Sequence, residues 1–194
     1  MPQAISRKLF VTGALSALVS LFGTCAVQAA APRTATPVHE ASKQVEAFAA
    51  GAIPCDSDGV KEAVSLIYEQ DDVASASAVA LRCEALAATQ ARPFNRVIAS
   101  RIKAMIAMRM RDMVALKRAG ETLVTEAQVP EYVADGHLFI AFACVFGGNP
   151  RCAREHVDTA KTLFTQLHVD EALAQLQPLE QTLMRLEAQS EDGR

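Results

Sequence analysis

The sequence predicts an all-α fold of antiparallel helical hairpins, with a lead helix before them and a closing helix after them. Apolar residues make up 51% of the 194 residues and charged residues 21%, which is typical of a globular chain. Alanine is abundant, tryptophan is absent, and there are only 9 glycines and 8 prolines, a composition that favours closely packed helices over strands. Apolar residues recur at helical spacing, and the breaks between the periodic segments are short.

Residues 1–29 have the pattern of a cleaved signal peptide. Arg7 and Lys8 precede an apolar stretch over residues 9–27, and small residues stand at positions 27 and 29, so we expect cleavage after Ala29. Two alternatives remain open. The apolar stretch approaches the length that spans a membrane, so it could be an uncleaved anchor. Lipidation of Cys25 is the weaker alternative, because the preceding Phe-Gly-Thr lacks the leucine and small-residue pattern of lipoproteins.

The mature chain is predicted to be acidic and to form one domain. Cleavage removes two of the 19 positive charges and none of the 22 negative ones, which leaves 17 against 22 and a net charge of −5. This balance argues against nucleic acid as a partner. Residues 30–36 are expected to form a linker and residues 37–190 a single α-helical domain. The lead helix is predicted at Val38–Ala50, where Gly51 ends it.

Three hairpins are predicted after the lead helix, at about residues 57–89, 93–127 and 130–168, and the closing helix at 170–189. Helix starts are marked by side chains that can accept a hydrogen bond from an unpaired backbone amide, namely Asp72, Asp112 and Asn149. Prolines at 93, 130 and 150 suit the first position of a helix, where a missing N–H costs nothing.

Three features of these helices carry more specific predictions. Phe94 heads an apolar stripe and is expected to face inward. Gly120 is expected to give its helix a flat contact point. Pro178 is expected to kink the last helix or break it in two. The leucines of that helix recur at three-four spacing, so the helix either covers the core or forms a dimer seam.

Four cysteines remain after cleavage, an even number that suits an oxidising compartment. Cys144 and Cys152 lie about equally far either side of the Gly147-Gly148-Asn149 turn, so they should face each other. At about 1.5 Å per helical residue, Cys83 lies roughly 16–18 Å beyond the turn of the first hairpin, which brings it level with Cys55. We therefore predict the disulfides Cys55–Cys83 and Cys144–Cys152.

The succession of hairpins resembles the tetratricopeptide repeat, a 34-residue helix–turn–helix unit. Shifting the chain by 34 residues superposes Ala107 on Ala141 and Ala119 on Ala153, and Gly148 and Ala160 also stand where the repeat has small residues. The resemblance covers about residues 57–168 and departs from the pattern at Val114 and Glu126. The spacing of Cys144 and Cys152 is also similar to that of Sel1-like repeats, whose glycine-rich signature is missing. The resemblance implies a superhelix with a concave groove for a peptide or partner helix.

Two sets of residues are candidate metal ligands. Met105, Met108, Met110 and Met113 resemble the methionine clusters that bind cuprous copper through soft sulfur, although flexible methionine also fills cores. Cys152 and His156 share a helix face, and with Cys144 and His137 they could bind zinc in a tetrahedral set. We favour oxidised cysteines over this zinc site.

The middle hairpin is strongly basic, and it is the preferred candidate for a binding surface. Eight of the 17 positive charges lie within 27 residues against the single acid Asp112. The alternative is a solvated face that pairs with acidic neighbours such as Glu171, Glu180 and Glu187. The binding interpretation is a docking patch for an acidic partner or for anionic lipid headgroups. The residues assigned to this patch are Arg96, Arg101, Lys103, Arg109 and Arg111.

No enzyme signature is present: the chain lacks Gly-x-Ser-x-Gly, His-Glu-x-x-His, a phosphate loop and Cys-x-x-Cys. No catalytic residue and no cofactor is therefore predicted. The sequence predicts a periplasmic or secreted scaffold that binds another protein, as an accessory factor of an envelope or secretion assembly. The alternative function is a periplasmic metal-binding protein. Membrane association and dimerisation through the C-terminal helix are secondary possibilities.

Overall fold

The computed structural model describes the backbone of residues 53–192 and the side chains as far as residue 189. The predicted signal peptide 1–29, the linker 30–36 and the lead helix Val38–Ala50 lie outside these residues. Within the described part there are helices and no strands, which confirms the all-α prediction. The helices are α1 (Ser57–Tyr68), α2 (Val73–Gln90), α3 (Pro93–Met110), α4 (Met113–Glu126), α5 (Pro130–Phe146), α6 (Pro150–Gln166) and α7 (Asp170–Asp192).

Short turns of two to four residues connect the helices. In five of these turns one residue adopts the left-handed conformation, namely Asp71, Ala91, Arg111, Gly148 and His168. The backbone amide of the next residue often donates a hydrogen bond to a carbonyl group of the preceding helix. Asn149 N, for example, donates to the carbonyl of Cys144 at 2.9 Å. The predicted caps are confirmed, because Asp72, Asp112 and Asn149 accept hydrogen bonds from the amides of Ser75, Ala115 and Cys152. Each turn therefore ends one helix and starts the next.

The helices form two layers. Each helix packs against the next along the chain, and the odd-numbered helices also contact one another in sequence, α1 with α3, α3 with α5, and α5 with α7. This arrangement is consistent with stacked helical hairpins. The most extensive contact joins α4 to α5, which belong to different predicted hairpins. The stack is therefore one continuous core and not three separate units.

Two glycines explain why α4 and α5 approach so closely. A Cβ atom built on Gly120 would lie 2.8 Å from the carbonyl oxygen of Gly136, and one on Gly136 would lie 2.9 Å from the carbonyl oxygen of Gly120. Real Cβ atoms are not found at such distances, so any side chain at either position would force the helices apart. The contact point predicted at Gly120 is present, and Gly136 is the partner that the sequence analysis missed.

The central helix α5 is buried nearly all round, because α3, α4, α6 and α7 surround it. Its apolar sequence, LFIAFACVF, suits a helix that other helices cover on most sides. The closing helix α7 covers one side of this core with a stripe of buried residues, namely Ala172, Leu176, Leu179 and Leu183. Ion pairs from Arg154 to Glu187 (2.6 Å) and from Lys161 to Glu180 (2.8 Å) join it to α6. The stripe considered as a dimer seam is thus covered within the chain itself.

Of the two effects predicted for Pro178, the break is absent: helix α7 continues through the proline from Asp170 to Asp192, since the proline removes only one backbone N–H and the apolar stripe on both sides of it stays packed. The prediction for Phe94 was wrong. Phe94 does not face inward: 41% of its surface is exposed. As the second residue of α3 it stands at the edge of the stack, where the core no longer covers it.

Candidate binding site

The two predicted disulfides are present. Cys55 and Cys83 are bonded, with Cα atoms 5.5 Å apart, and Cys144 and Cys152 are bonded, with Cα atoms 5.9 Å apart. Cys83 is fully buried in α2, so its bond fixes the segment that precedes α1 to the core. That segment is also seated closely on α1: a Cβ atom on Gly59 would lie 1.7 Å from the carbonyl oxygen of Pro54.

An open cleft of about 600 Å³ lies where this segment meets the turn between α2 and α3 and the end of α4. We call it the Phe94 cleft. Its lining includes Pro54, Cys55, Leu86, Arg92, Pro93, Phe94 and Glu126. Much of this surface is apolar, and the exposed aromatic ring is its largest apolar group. Polar and charged side chains also line it, among them Asp56, Gln90, Asn95 and Gln128. A mostly apolar cleft with several polar groups suits a ligand that has an apolar part and a polar part.

Local sequence explains why Phe94 stands in the cleft. Ala91 adopts the left-handed conformation that ends α2, and Pro93 then starts α3, so the chain turns sharply just before the aromatic residue. The ring of Phe94 contacts that of Tyr132 on α5, with centroids 5.9 Å apart. One side of Phe94 is therefore anchored and the other is open to solvent.

The charges at the cleft differ in whether they are already paired. Glu126 forms an ion pair with Arg96, whose Nη1 atom lies 3.2 Å from Glu126 Oε1. Arg92 is exposed, and no carboxylate of residues 53–189 lies within ion-pair distance of it. Arg92 is thus a cation at the rim of the cleft that can pair with an external acid.

The five basic residues predicted as a docking patch are not gathered on one free surface. Arg96 pairs with Glu126, Lys103 contacts Glu84, and Arg109 Nη2 lies 2.6 Å from Asp71 Oδ1. Arg101 is buried, while Arg111 is exposed at the turn between α3 and α4. Their acidic partners come from α2, α4, α5 and the turn after α1. Two of the acids considered as partners, Glu180 and Glu187, pair with α6 instead.

Arg101 takes part in a buried ion pair with Asp135 of α5. Its Nη2 atom lies 2.8 Å from Asp135 Oδ2, and the side chains of both residues are about one-tenth exposed. The guanidinium carbon also lies 5.0 Å from the centroid of the Tyr132 ring, within range of a cation–π contact. Burial raises the pKa of Asp135 above its ordinary value, although the Arg101 charge acts in the opposite direction. Because the Tyr132 ring also packs against Phe94, the pair is connected to the cleft through these two rings.

The methionine run does not form one site. Met105 and Met108 belong to the core, where they are 2% and 5% exposed, whereas Met110 is 63% exposed. Met113 is partly buried against the core. Their sulfurs therefore lie in different environments, and a single cuprous ion would not meet all four. The positions follow from the turn at Arg111, which separates Met113 from the other three.

Cys144 and Cys152, two of the four residues considered as zinc ligands, are bonded to each other and therefore offer no thiolate. Among residues 53–189, no three or more histidine, cysteine, aspartate or glutamate side chains lie together in a way that could hold a metal ion. His137 and His156 nevertheless face each other, with their Nδ1 atoms 2.9 Å apart. Burial lowers the pKa of both imidazoles, and for His137 the neighbouring His156 lowers it further.

Comparison with known proteins found no match. No protein-family model, no curated protein and no solved structure matches this chain. The resemblance to tetratricopeptide repeats therefore stays a prediction. No helix in the part of the chain that the structure describes combines the length and apolar character needed to cross a membrane.

Proposed function

We propose that this protein is an exported scaffold that binds a segment of another protein in the Phe94 cleft. The observation that carries the proposal is the cleft itself, an open and mostly apolar cavity lined by an exposed aromatic ring and an exposed arginine. Exposed aromatic and arginine side chains commonly supply most of the binding energy at protein interfaces. The function that fits is an accessory factor of an envelope or secretion assembly.

The chemistry of the cleft defines the partner segment. An apolar side chain is needed to cover Phe94 and Leu86, since burying apolar surface contributes about 25 cal/mol per Å². A carboxylate beside it would pair with Arg92. The segment is therefore an apolar residue next to aspartate or glutamate. The two carboxylates of the cleft already have partners, since Glu126 pairs with Arg96 and Asp56 accepts hydrogen bonds from the amides of Asp58 and Gly59.

Export is supported by the signal-peptide pattern and by the two disulfides, because disulfides form and persist in oxidising compartments. We expect protein purified from the periplasm of a bacterial expression host to begin at Ala30 and to be four hydrogens lighter than the fully reduced chain. Intact mass spectrometry, before and after alkylation in denaturant without reductant, measures both. A chain that retains residues 1–29 or accepts four alkyl groups would contradict the export proposal.

Binding in the cleft is tested by placing a photo-crosslinking amino acid at Phe94 in the periplasmic protein. The matched control carries it at Val114, an apolar residue of α4 that is 72% exposed and does not line the cleft. We expect an adduct at position 94 and not at 114, and sequencing of the adduct should show an apolar residue beside an acid.

A synthetic peptide of the captured sequence then gives a quantitative result. We expect Arg92→Glu to weaken its binding to the purified protein about 3- to 10-fold, with a smaller loss at high salt, as is usual for a rim charge. Adducts that form equally at both positions, or a peptide that binds the Arg92→Glu variant unchanged, would show that the cleft is not the docking site.

A further inference from the structure

His137 of α5 and His156 of α6 meet across the hairpin that the Cys144–Cys152 disulfide closes. Their Nδ1 atoms are 2.9 Å apart, their ring centroids 5.1 Å apart, and the ring planes are inclined by 36°. At this separation two nitrogen lone pairs cannot face each other across an empty gap. One proton lies between them when the pair is neutral, donated by one imidazole and accepted by the other.

The surroundings leave this pair accessible. Both side chains are partly buried, so each imidazole can be reached from solvent while the helices hold it in place. The charged groups that act on the pair are Glu155 on α6 and, for His156, Lys117 and Glu121 on α4. The carboxylates attract a cation and Lys117 repels it, while burial, the largest effect on both imidazoles, keeps them neutral, which is the form that binds a metal.

We propose that His137 and His156 form a binding site for a divalent transition-metal ion, with Cu²⁺ preferred. The imidazole that donates the shared proton from Nδ1 takes the tautomer that carries this proton on Nε2, so that both Nδ1 lone pairs can bind the ion. Imidazole is a ligand for copper, nickel and zinc, and among divalent ions of this row a nitrogen site binds Cu²⁺ most tightly. The two histidines supply adjacent ligands, and water or a small exchangeable ligand completes the coordination. The site uses no residue of the Phe94 cleft and does not depend on the proposed function.

The preference for copper rests on ligand chemistry and not on the distance between the nitrogens, because 2.9 Å is the length of the hydrogen bond that joins the two rings. Both lone pairs reach one ion after each ring turns about χ2, which is a broad torsion for histidine. With two ligands from the protein, the ion exchanges readily and has no structural role.

The test is a titration of the purified, oxidised protein with copper sulfate alone, in a buffer that does not bind copper. Electron paramagnetic resonance should show two imidazole nitrogens on the first Cu²⁺ bound. We expect His137→Gln or His156→Gln to weaken that binding at least 10-fold and to remove one nitrogen from the spectrum. The matched control is His168→Gln, which removes an exposed histidine at the turn between α6 and α7 and should leave the titration unchanged.

Two results would overturn the proposal. One is a first Cu²⁺ in the unaltered protein with fewer than two imidazole nitrogens, which is decided without any variant. The other is a double variant, His137→Gln with His156→Gln, that binds Cu²⁺ as tightly as the unaltered protein. Thermal unfolding of each variant without copper, followed by circular dichroism, establishes that the fold is retained.

Discussion

Replacing Cys55 and Cys83 with alanine is expected to lower the free energy of unfolding by about 3–4 kcal/mol and to weaken binding in the Phe94 cleft. The bond joins residues 28 apart in the sequence. Closing a loop of that length removes enough entropy from the unfolded chain to account for about 3.6 kcal/mol in the loop-entropy description. The second effect follows from position, because Cys55 and Pro54 form one wall of the cleft.

The other disulfide provides the matched control. Cys144 and Cys152 are 8 residues apart, and the same description gives about 2.5 kcal/mol for their loop. Because neither residue lines the cleft, Cys144→Ala with Cys152→Ala should destabilise the fold and leave peptide affinity unchanged. Urea unfolding followed by circular dichroism measures the stability, and titration with the captured peptide measures the affinity. Equal effects of the two pairs on affinity would mean that the Cys55 wall does not shape the cleft.

The elements that could be predicted from the sequence are those fixed by neighbours along the chain. Asp72, Asp112 and Asn149 cap helices through amides three residues later, and such bonds depend only on local geometry. Both disulfides could be placed because the rise of a helix converts sequence spacing into distance. Sequence spacing and capping rules were therefore sufficient for features that lie within a single hairpin.

The candidate site could not be predicted, because it depends on which helices meet. The Phe94 cleft combines the segment before α1, the turn between α2 and α3, and the end of α4. No periodic pattern in the sequence indicates that these three segments meet. The sequence placed Phe94 on an apolar stripe, but its exposure follows from its position at the edge of the stack. A proline followed by an aromatic residue just after a turn was the one available indication.

The basic hairpin illustrates the same limit. Its charges were counted correctly, but their partners are set by packing: Glu84 from α2 contacts Lys103, and Asp71 from the turn after α1 contacts Arg109. Three of the eight basic residues therefore pair with acids from outside the hairpin, and two more pair with acids of α4. Arg92, which lines the cleft, was counted in the basic hairpin but not assigned to the docking patch.

Replacing Asp135 with alanine is expected to lower the free energy of unfolding by about 3–5 kcal/mol, because it leaves the Arg101 charge buried without its partner. Urea unfolding measures this loss. The matched comparison is the double variant Arg101→Met with Asp135→Leu, which replaces both charges with apolar groups of similar size. We expect its stability to be equal to that of the unaltered protein or greater. The direction of the Asp135 pKa agrees with this expectation, because burial, which raises it, is a larger effect than the Arg101 charge, which lowers it.

The double variant also separates stability from function. If the ion pair serves only the core, the apolar replacement should keep the captured peptide's affinity. We expect the affinity to fall instead, because the Arg101 guanidinium lies against Tyr132 and Tyr132 in turn contacts Phe94 in the cleft. A stable double variant with weakened binding would show that the buried pair holds the cleft wall in position. Unchanged binding would restrict the pair to the core, and a double variant as unstable as Asp135→Ala would mean that the charges themselves stabilise the fold.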